Sequence, residues 1–180
     1  MKQLLLFTSL LLLTFSTITA QDSNEKETKK TTFGILIGKE LFDFKPRESY
    51  SIDSGVITNY SFGLFLNRAL SEKFNLQLET SFLKSIQNEN QLETSLLLNY
   101  RINTKVELYA GGQFYYRLKE HAIYSNTNYG FNLGTRYNFN KNWFADLRYV
   151  HRFPSNTKSN FVVSNQDNIR SVRLGIGYRF

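Results

Sequence analysis

Residues 171–180, SVRLGIGYRF, decide how the chain is read. Val172, Leu174, Ile176, Tyr178 and Phe180 fall on every second position, with Ser171, Arg173, Gly175, Gly177 and Arg179 between them. That is the period of a β-strand with one apolar face. Chain ends ordinarily fray and carry polar residues. This one keeps its apolar face to Phe180, as a strand must when both of its edges are to be paired.

The same period runs backwards through the sequence. It predicts eight strands: Thr32–Asp43, Gly55–Arg68, Phe74–Ile86, Leu92–Ile102, Val106–Leu118, Asn128–Phe139, Trp143–Phe153 and Asn168–Phe180. Pro46 and Pro154 fall outside them, as residues unable to donate to a sheet ladder should. The joins alternate in character. Tight hairpins are expected around ALSEK, NTK and NKN, where Ser and Asn tolerate turn geometry. The other joins are longer or more polar: FKPRESYSIDSG, QNENQ, KEHAIYSNT and PSNTKSNFVVSNQD. Three short turns on one rim and four longer loops on the other are the asymmetry of an outer-membrane barrel.

Period two alone does not separate such a barrel from a soluble β-sandwich; the distribution of charge does. Each strand has one nearly charge-free face and one that carries Glu, Asp or Arg at mid-strand. In the fifth strand, Val106, Leu108, Ala110, Gly112, Phe114, Tyr116 and Leu118 oppose Glu107, Tyr109, Gly111, Gln113, Tyr115 and Arg117. In water the charged face would be outermost, whereas in a membrane the apolar face meets lipid and the polar face lines the lumen. Aromatics settle the choice. Phe33, Phe74, Tyr100, Tyr137, Phe139, Trp143, Tyr178 and Phe180 gather towards one rim. Phe82, Phe114, Tyr116, Tyr129, Phe131, Tyr149 and Phe153 gather towards the other. Paired girdles of this kind mark the two membrane interfaces. The expected fold is therefore all-β, an eight-stranded antiparallel up-and-down transmembrane β-barrel. Lys39 breaks the pattern by facing outward, which a bulge near Gly38 or snorkelling to the interface would explain.

In layout, residues 32–180 resemble the outer-membrane β-barrel family, particularly its small eight-stranded members. The resemblance rests most specifically on the alternating ending VRLGIGYRF. It implies that Val172, Leu174, Ile176, Tyr178 and Phe180 form a signal read by the barrel-assembly machinery. It also implies outer-membrane lipids as neighbours and both termini on the periplasmic side.

The start of the chain agrees with export. Met1-Lys2-Gln3 is a short positive segment, Leu4–Phe15 is a Leu-rich apolar run, and Ala20 ends a small-residue cleavage pattern. The apolar run is shorter than the ~20 residues that span a bilayer as a helix. Residues 1–20 are thus expected to be a signal peptide, and 21–31 (QDSNEKETKKT) a flexible periplasmic leader too polar to order itself. There is no cysteine, hence no disulfide, thiolate metal site or lipidated cysteine. The formal net charge is +7, but the basic residues are scattered, which argues against a nucleic-acid partner.

An eight-stranded barrel is only wide enough to be filled by its own side chains. Lumen-facing parity gives Glu40, Glu79, Glu93, Glu107 and Asp146 against Arg101, Arg117, Arg136, Arg148, Arg173 and Arg179. Paired, such charges form a plug; an ion pathway is the alternative, although freely conducting barrels have more strands. One stretch invites a catalytic reading. His151 and Ser155 in RYVHRFPSN faintly resemble the His and Ser of outer-membrane lipid A deacylases. Their spacing is wider here and no Glu follows, Asp167 being the only later carboxylate. A triad needs a third group to orient its base. His121 has no partner at metal-ligand spacing. Tyr50, Tyr124 and Phe161, set among Ser and Asn in the longer loops, suit adaptable contacts. The sequence therefore points to an integral outer-membrane protein of a Gram-negative cell. It is expected to be a non-enzymatic monomer with a structural or surface-interaction role, a largely plugged lumen and no cofactor.

Overall fold

The computed structural model describes residues 31–43, 56–85, 90–118, 127–153 and 169–180. The expected signal peptide, leader residues 21–30 and most of the longer loops lie outside these. So do Tyr50, His121, Tyr124, Ser155, Phe161 and Asp167.

Eight strands form: β1 (Thr31–Asp43), β2 (Val56–Ala69), β3 (Phe74–Ser85), β4 (Gln91–Arg101), β5 (Val106–Arg117), β6 (Thr127–Asn138), β7 (Trp143–Arg152) and β8 (Ile169–Arg179). They pair antiparallel in chain order and close into a barrel through β1 and β8. Thr31, expected in the leader, is instead the first residue of β1, because it pairs with Arg68 of β2.

The three tight joins, 70–73, 102–105 and 139–142, share one device. The Asn103 side-chain oxygen accepts from the backbone N–H groups of Lys105 and Val106, each at 2.8 Å. Asn140 does the same for Asn142 and Trp143 at 2.9 and 2.8 Å. Ser71 does so for Lys73 and Phe74 at 3.3 and 3.1 Å. A short polar side chain that bonds its own backbone two or three residues on fixes a turn without help from tertiary packing. These turns and both ends of the described barrel lie at one rim, the hairpin rim; the strand ends that lead into the longer joins lie at the other, the loop rim.

The terminal strand is held on both sides. Phe180 N–H donates to the Phe33 carbonyl at 2.9 Å, and Arg179 N–H donates to the Asn142 carbonyl at 2.9 Å. The Phe180 ring stacks on Phe33 with centroids 5.0 Å apart and meets Tyr178 edge-on at 5.1 Å. Phe180 is therefore the clasp of the barrel seam. Its apolar face continues to the end because β1 pairs along it.

The register through Gly38 and Lys39 is unbroken on both sides, with Lys39 opposite Tyr60 and Leu174. The expected bulge is absent there, and Lys39 points outward, exposed, in a regular strand.

Candidate functional site: a charge-laced lumen

Burial is inverted relative to a water-soluble fold. Among the described residues, twenty-three polar or charged side chains are buried against eight hydrophobic ones. The outer wall exposes Leu64, Leu96, Leu98, Leu108, Leu133, Leu147, Leu174 and Ile176, with Leu174 55% exposed. A continuous apolar coat of this kind is far larger than the patches soluble proteins tolerate. Near the hairpin rim, aromatic contacts include Phe74–Tyr100 at 5.2 Å and Trp143–Tyr178 at 4.9 Å. Near the loop rim, Phe114–Tyr129 and Phe131–His151 meet at 5.5 and 5.0 Å.

Inside, the charges lace opposite walls together. Guanidiniums project from β6, β7 and β8, while most carboxylates project from β1, β3, β4 and β5. Towards the loop rim, four groups alternate in a ring. Arg152 reaches Glu93 at 2.5 Å and Glu40 at 2.8 Å. Arg173 reaches the other oxygens of the same two residues at 2.6 and 2.8 Å. Ser171 Oγ donates to Glu40 and accepts from Arg152 at 3.2 Å.

At mid-lumen Arg148 grips Glu79 with two parallel bonds of 2.8 and 2.9 Å. The Arg148 Nε–H donates to Tyr109 Oη at 3.0 Å, and that hydroxyl lies 2.8 and 2.9 Å from the two Asp146 oxygens. Towards the hairpin rim the spacing opens. Arg136 lies 3.4 Å from Asp146 and 3.6 Å from Glu107, and Arg179 lies 3.2 Å from Glu107. Aromatic faces replace carboxylates there: Phe144 lies 4.3 Å from the Arg136 guanidinium and 4.8 Å from that of Arg179.

Two glycines make room for this lower packing. A Cβ on Gly177 would lie 2.1 Å from the Phe144 ring, and one on Gly134 would lie 2.3 Å from the Tyr109 ring. Each glycine is the recess in which a neighbouring ring sits, a close approach that only a residue without a side chain permits.

Most of the residues picked out by parity meet in this network. Glu40, Glu79, Glu93, Glu107, Asp146, Arg136, Arg148 and Arg173 are buried, and Arg179 is nearly so. Two of the residues stand at the ends of the lumen, outside the sealed network. Arg101 is exposed at the end of β4, beside Glu107 and Arg179 in a small polar mouth, because its strand stops before the lumen closes round it. Arg117 is only half-buried at the opposite end of β5. Arg152, next to Phe153 and Pro154 at a strand terminus, is not among the lumen charges selected from the sequence, yet it joins the network. It reaches across the lumen to Glu93, near the loop-rim end of β4. Its parity, shared with Asp146 and Arg148, was the available signal.

The loop-rim histidine is no part of the lumen. His151 faces outward with its ring among Phe131, Tyr149 and Phe153.

An all-next-neighbour antiparallel sheet, closed on itself, coated with exposed apolar side chains and crossed inside by paired charges, is a membrane-spanning β-barrel. Residues 8–180 match the family described as outer membrane protein beta-barrel domain. The chain belongs to that family and is an outer-membrane protein whose coat faces lipid.

Solved barrels share the fold at low identity. The N-terminal β-barrel domain of Pseudomonas aeruginosa OprF has a TM-score of 0.53 at 16% identity, over 84% of this chain and 98% of that one. Neisserial surface protein A has a TM-score of 0.52 at 14% identity, over 83% and 95%. The attachment invasion locus protein Ail of Yersinia pestis has a TM-score of 0.50 at 16% identity, over 83% and 97%. A comparison with curated proteins gives no match.

Proposed function

We propose that the protein is a plugged outer-membrane barrel. In this reading it has a structural or surface-interaction role, does not conduct ions and is not an enzyme. One observation carries this. Glu40, Glu79, Glu93, Glu107 and Asp146 are matched by Arg136, Arg148, Arg152, Arg173 and Arg179, and the Arg148–Glu79, Arg152–Glu93, Arg173–Glu93 and Arg179–Glu107 pairs cross the lumen. An ion entering would have to break contacts that compensate buried charge, each costly to leave unpaired. The lumen thus acts as a cross-braced support for the longer joins at the loop rim.

The hairpin rim then faces the periplasm with both termini, the longer joins face outward, and Val172 to Phe180 serve as the assembly signal. The barrel works as a monomer, because closure leaves no open sheet edge to pair with another copy. The setting of His151 among rings on the lipid side favours an interfacial aromatic belt over a lipid A hydrolase.

Planar-bilayer recording of the refolded full-length barrel tests the plug: no steady single-channel openings are expected. Reproducible openings in the unsubstituted protein would overturn it. Replacing His151 with Ala should leave lipid A acylation in the host unchanged, and a change would revive the hydrolase.

A further inference from the structure

The outer wall carries charges that neither the plug nor the aromatic belt uses. Lys39 of β1 is directly opposite Tyr60 of β2, and Tyr60 is directly opposite Lys84 of β3. All three side chains are exposed on the lipid side, Tyr60 by 55%. Directly opposed residues on one face of an antiparallel pair have Cβ atoms about 5 Å apart. Their Cβ atoms therefore form one short row about 10 Å long, which carries ammonium, phenol and ammonium heads. Among the described residues neither lysine has an ion-pair partner, in contrast to the guanidiniums paired inside.

Directly beside this row is a groove of about 510 Å³ in the coat, lined by Ile37, Gly38, Lys39, Tyr60, Ser61, Leu174, Gly175 and Ile176. Gly38 and Gly175 are cross-strand partners of lumen parity, and their backbone forms part of the groove's floor. The groove between Ile37, Leu174 and Ile176 is apolar, and Lys39 and Tyr60 bound it.

A lipid-facing lysine is expensive unless its charge is compensated. Here two flank Tyr60, and Lys39 and Tyr60 border an open apolar groove. We infer that Lys39, Tyr60 and Lys84 hold the phosphate of an anionic membrane lipid whose acyl chain lies in the groove across β8, β1 and β2. The ammoniums supply charge, the Tyr60 hydroxyl donates a hydrogen bond between them, and Ile37, Leu174 and Ile176 wall the chain.

The test uses full-length barrel refolded into vesicles of phosphatidylcholine containing phosphatidylglycerol. It is then extracted in mild detergent and weighed by native mass spectrometry. The unsubstituted protein should retain about one phosphatidylglycerol in preference to phosphatidylcholine. Joint Lys39→Gln and Lys84→Gln replacement should cut that retention roughly tenfold, which corresponds to losing about 1.4 kcal/mol. Lys39→Arg should preserve it, and Tyr60→Phe should give an intermediate loss. Heat-modifiable gel mobility identifies folded variants, so a drop in retention is read only on closed barrels. Equal retention by the parent and the folded double variant, or no preference for the anionic lipid in the parent, overturns the inference.

Discussion

The two ends of the lumen solve the same problem by different means. At the loop rim, Arg152 and Arg173 each touch both Glu40 and Glu93, with four distances of 2.5–2.8 Å and all four side chains sealed. At the hairpin rim, Arg136 and Arg179 stand 3.2–3.6 Å from their carboxylates and rest on Phe144. The upper ring compensates charge with charge. The lower cluster compensates part of it with the electron-rich face of an aromatic ring, a weaker interaction that works best out of water. Exposure explains the division: the Arg179 side chain is 14% exposed, so water already shares the task there.

The largest effect should come from breaking the upper ring. Glu93→Gln keeps the shape but leaves Arg152 and Arg173 sharing Glu40 alone. Removing one member of a buried ion pair costs about 3–5 kcal/mol. Arg179→Met at the other end removes a partly exposed pair, for which about 1 kcal/mol is expected after solvent screening. Urea unfolding of both variants in phospholipid vesicles measures the ratio. Equal losses would mean that the two ends are energetically alike despite their geometry.

The sequence made one layer of this legible and hid the next. Side-chain parity is a local property with period two, so the lumen face could be read strand by strand, and the strand ends fall within two residues of expectation. Asn103, Asn140 and Ser71 announced the hairpins because each turn is closed by its own side chain. Pairing is not local. Arg152 meets Glu93 across 59 residues and Arg173 meets Glu93 across 80, pairs that only closure of the sheet brings together. Parity alone therefore could not tell that Arg101 stands at the exposed hairpin mouth or that Arg152 closes the ring towards the loop rim. The role of Phe144 was hidden for the same reason: an apolar residue on a polar face has meaning only once Gly177 and Arg136 are seen around it.

That aromatic seat offers a second, smaller break. Gly177→Ala would put a methyl 2.1 Å from the Phe144 ring, and the ring must move. Overpacking of this kind costs about 1–3 kcal/mol. Moving the ring also withdraws it from Arg136 and Arg179, so the loss should fall on the hairpin end. Hydrogen exchange of the barrel in detergent micelles would then show faster exchange in β8 and β7 near Phe144, with Ser171 and Arg173 unchanged. Uniform acceleration along β8 would indicate that the two ends are mechanically coupled.

The finest discrimination is by salt. At about 0.1 M ionic strength charges are screened over about 10 Å, and at 1 M over about 3 Å, but only where ions can approach. The Arg179–Glu107 pair borders the polar mouth lined by Arg101 and Lys141, so dissolved ions reach it. Arg152 and Glu93 are each only 2% exposed as side chains, and ions cannot come between them. Double-mutant cycles for the two pairs at low and high salt should therefore diverge: the rim coupling falls by about half, a change under 1 kcal/mol, and the sealed coupling stays constant. If the sealed pair also weakens with salt, ions penetrate the lumen. The plug would then be porous on the timescale of unfolding, and the contrast between the ends would be one of degree.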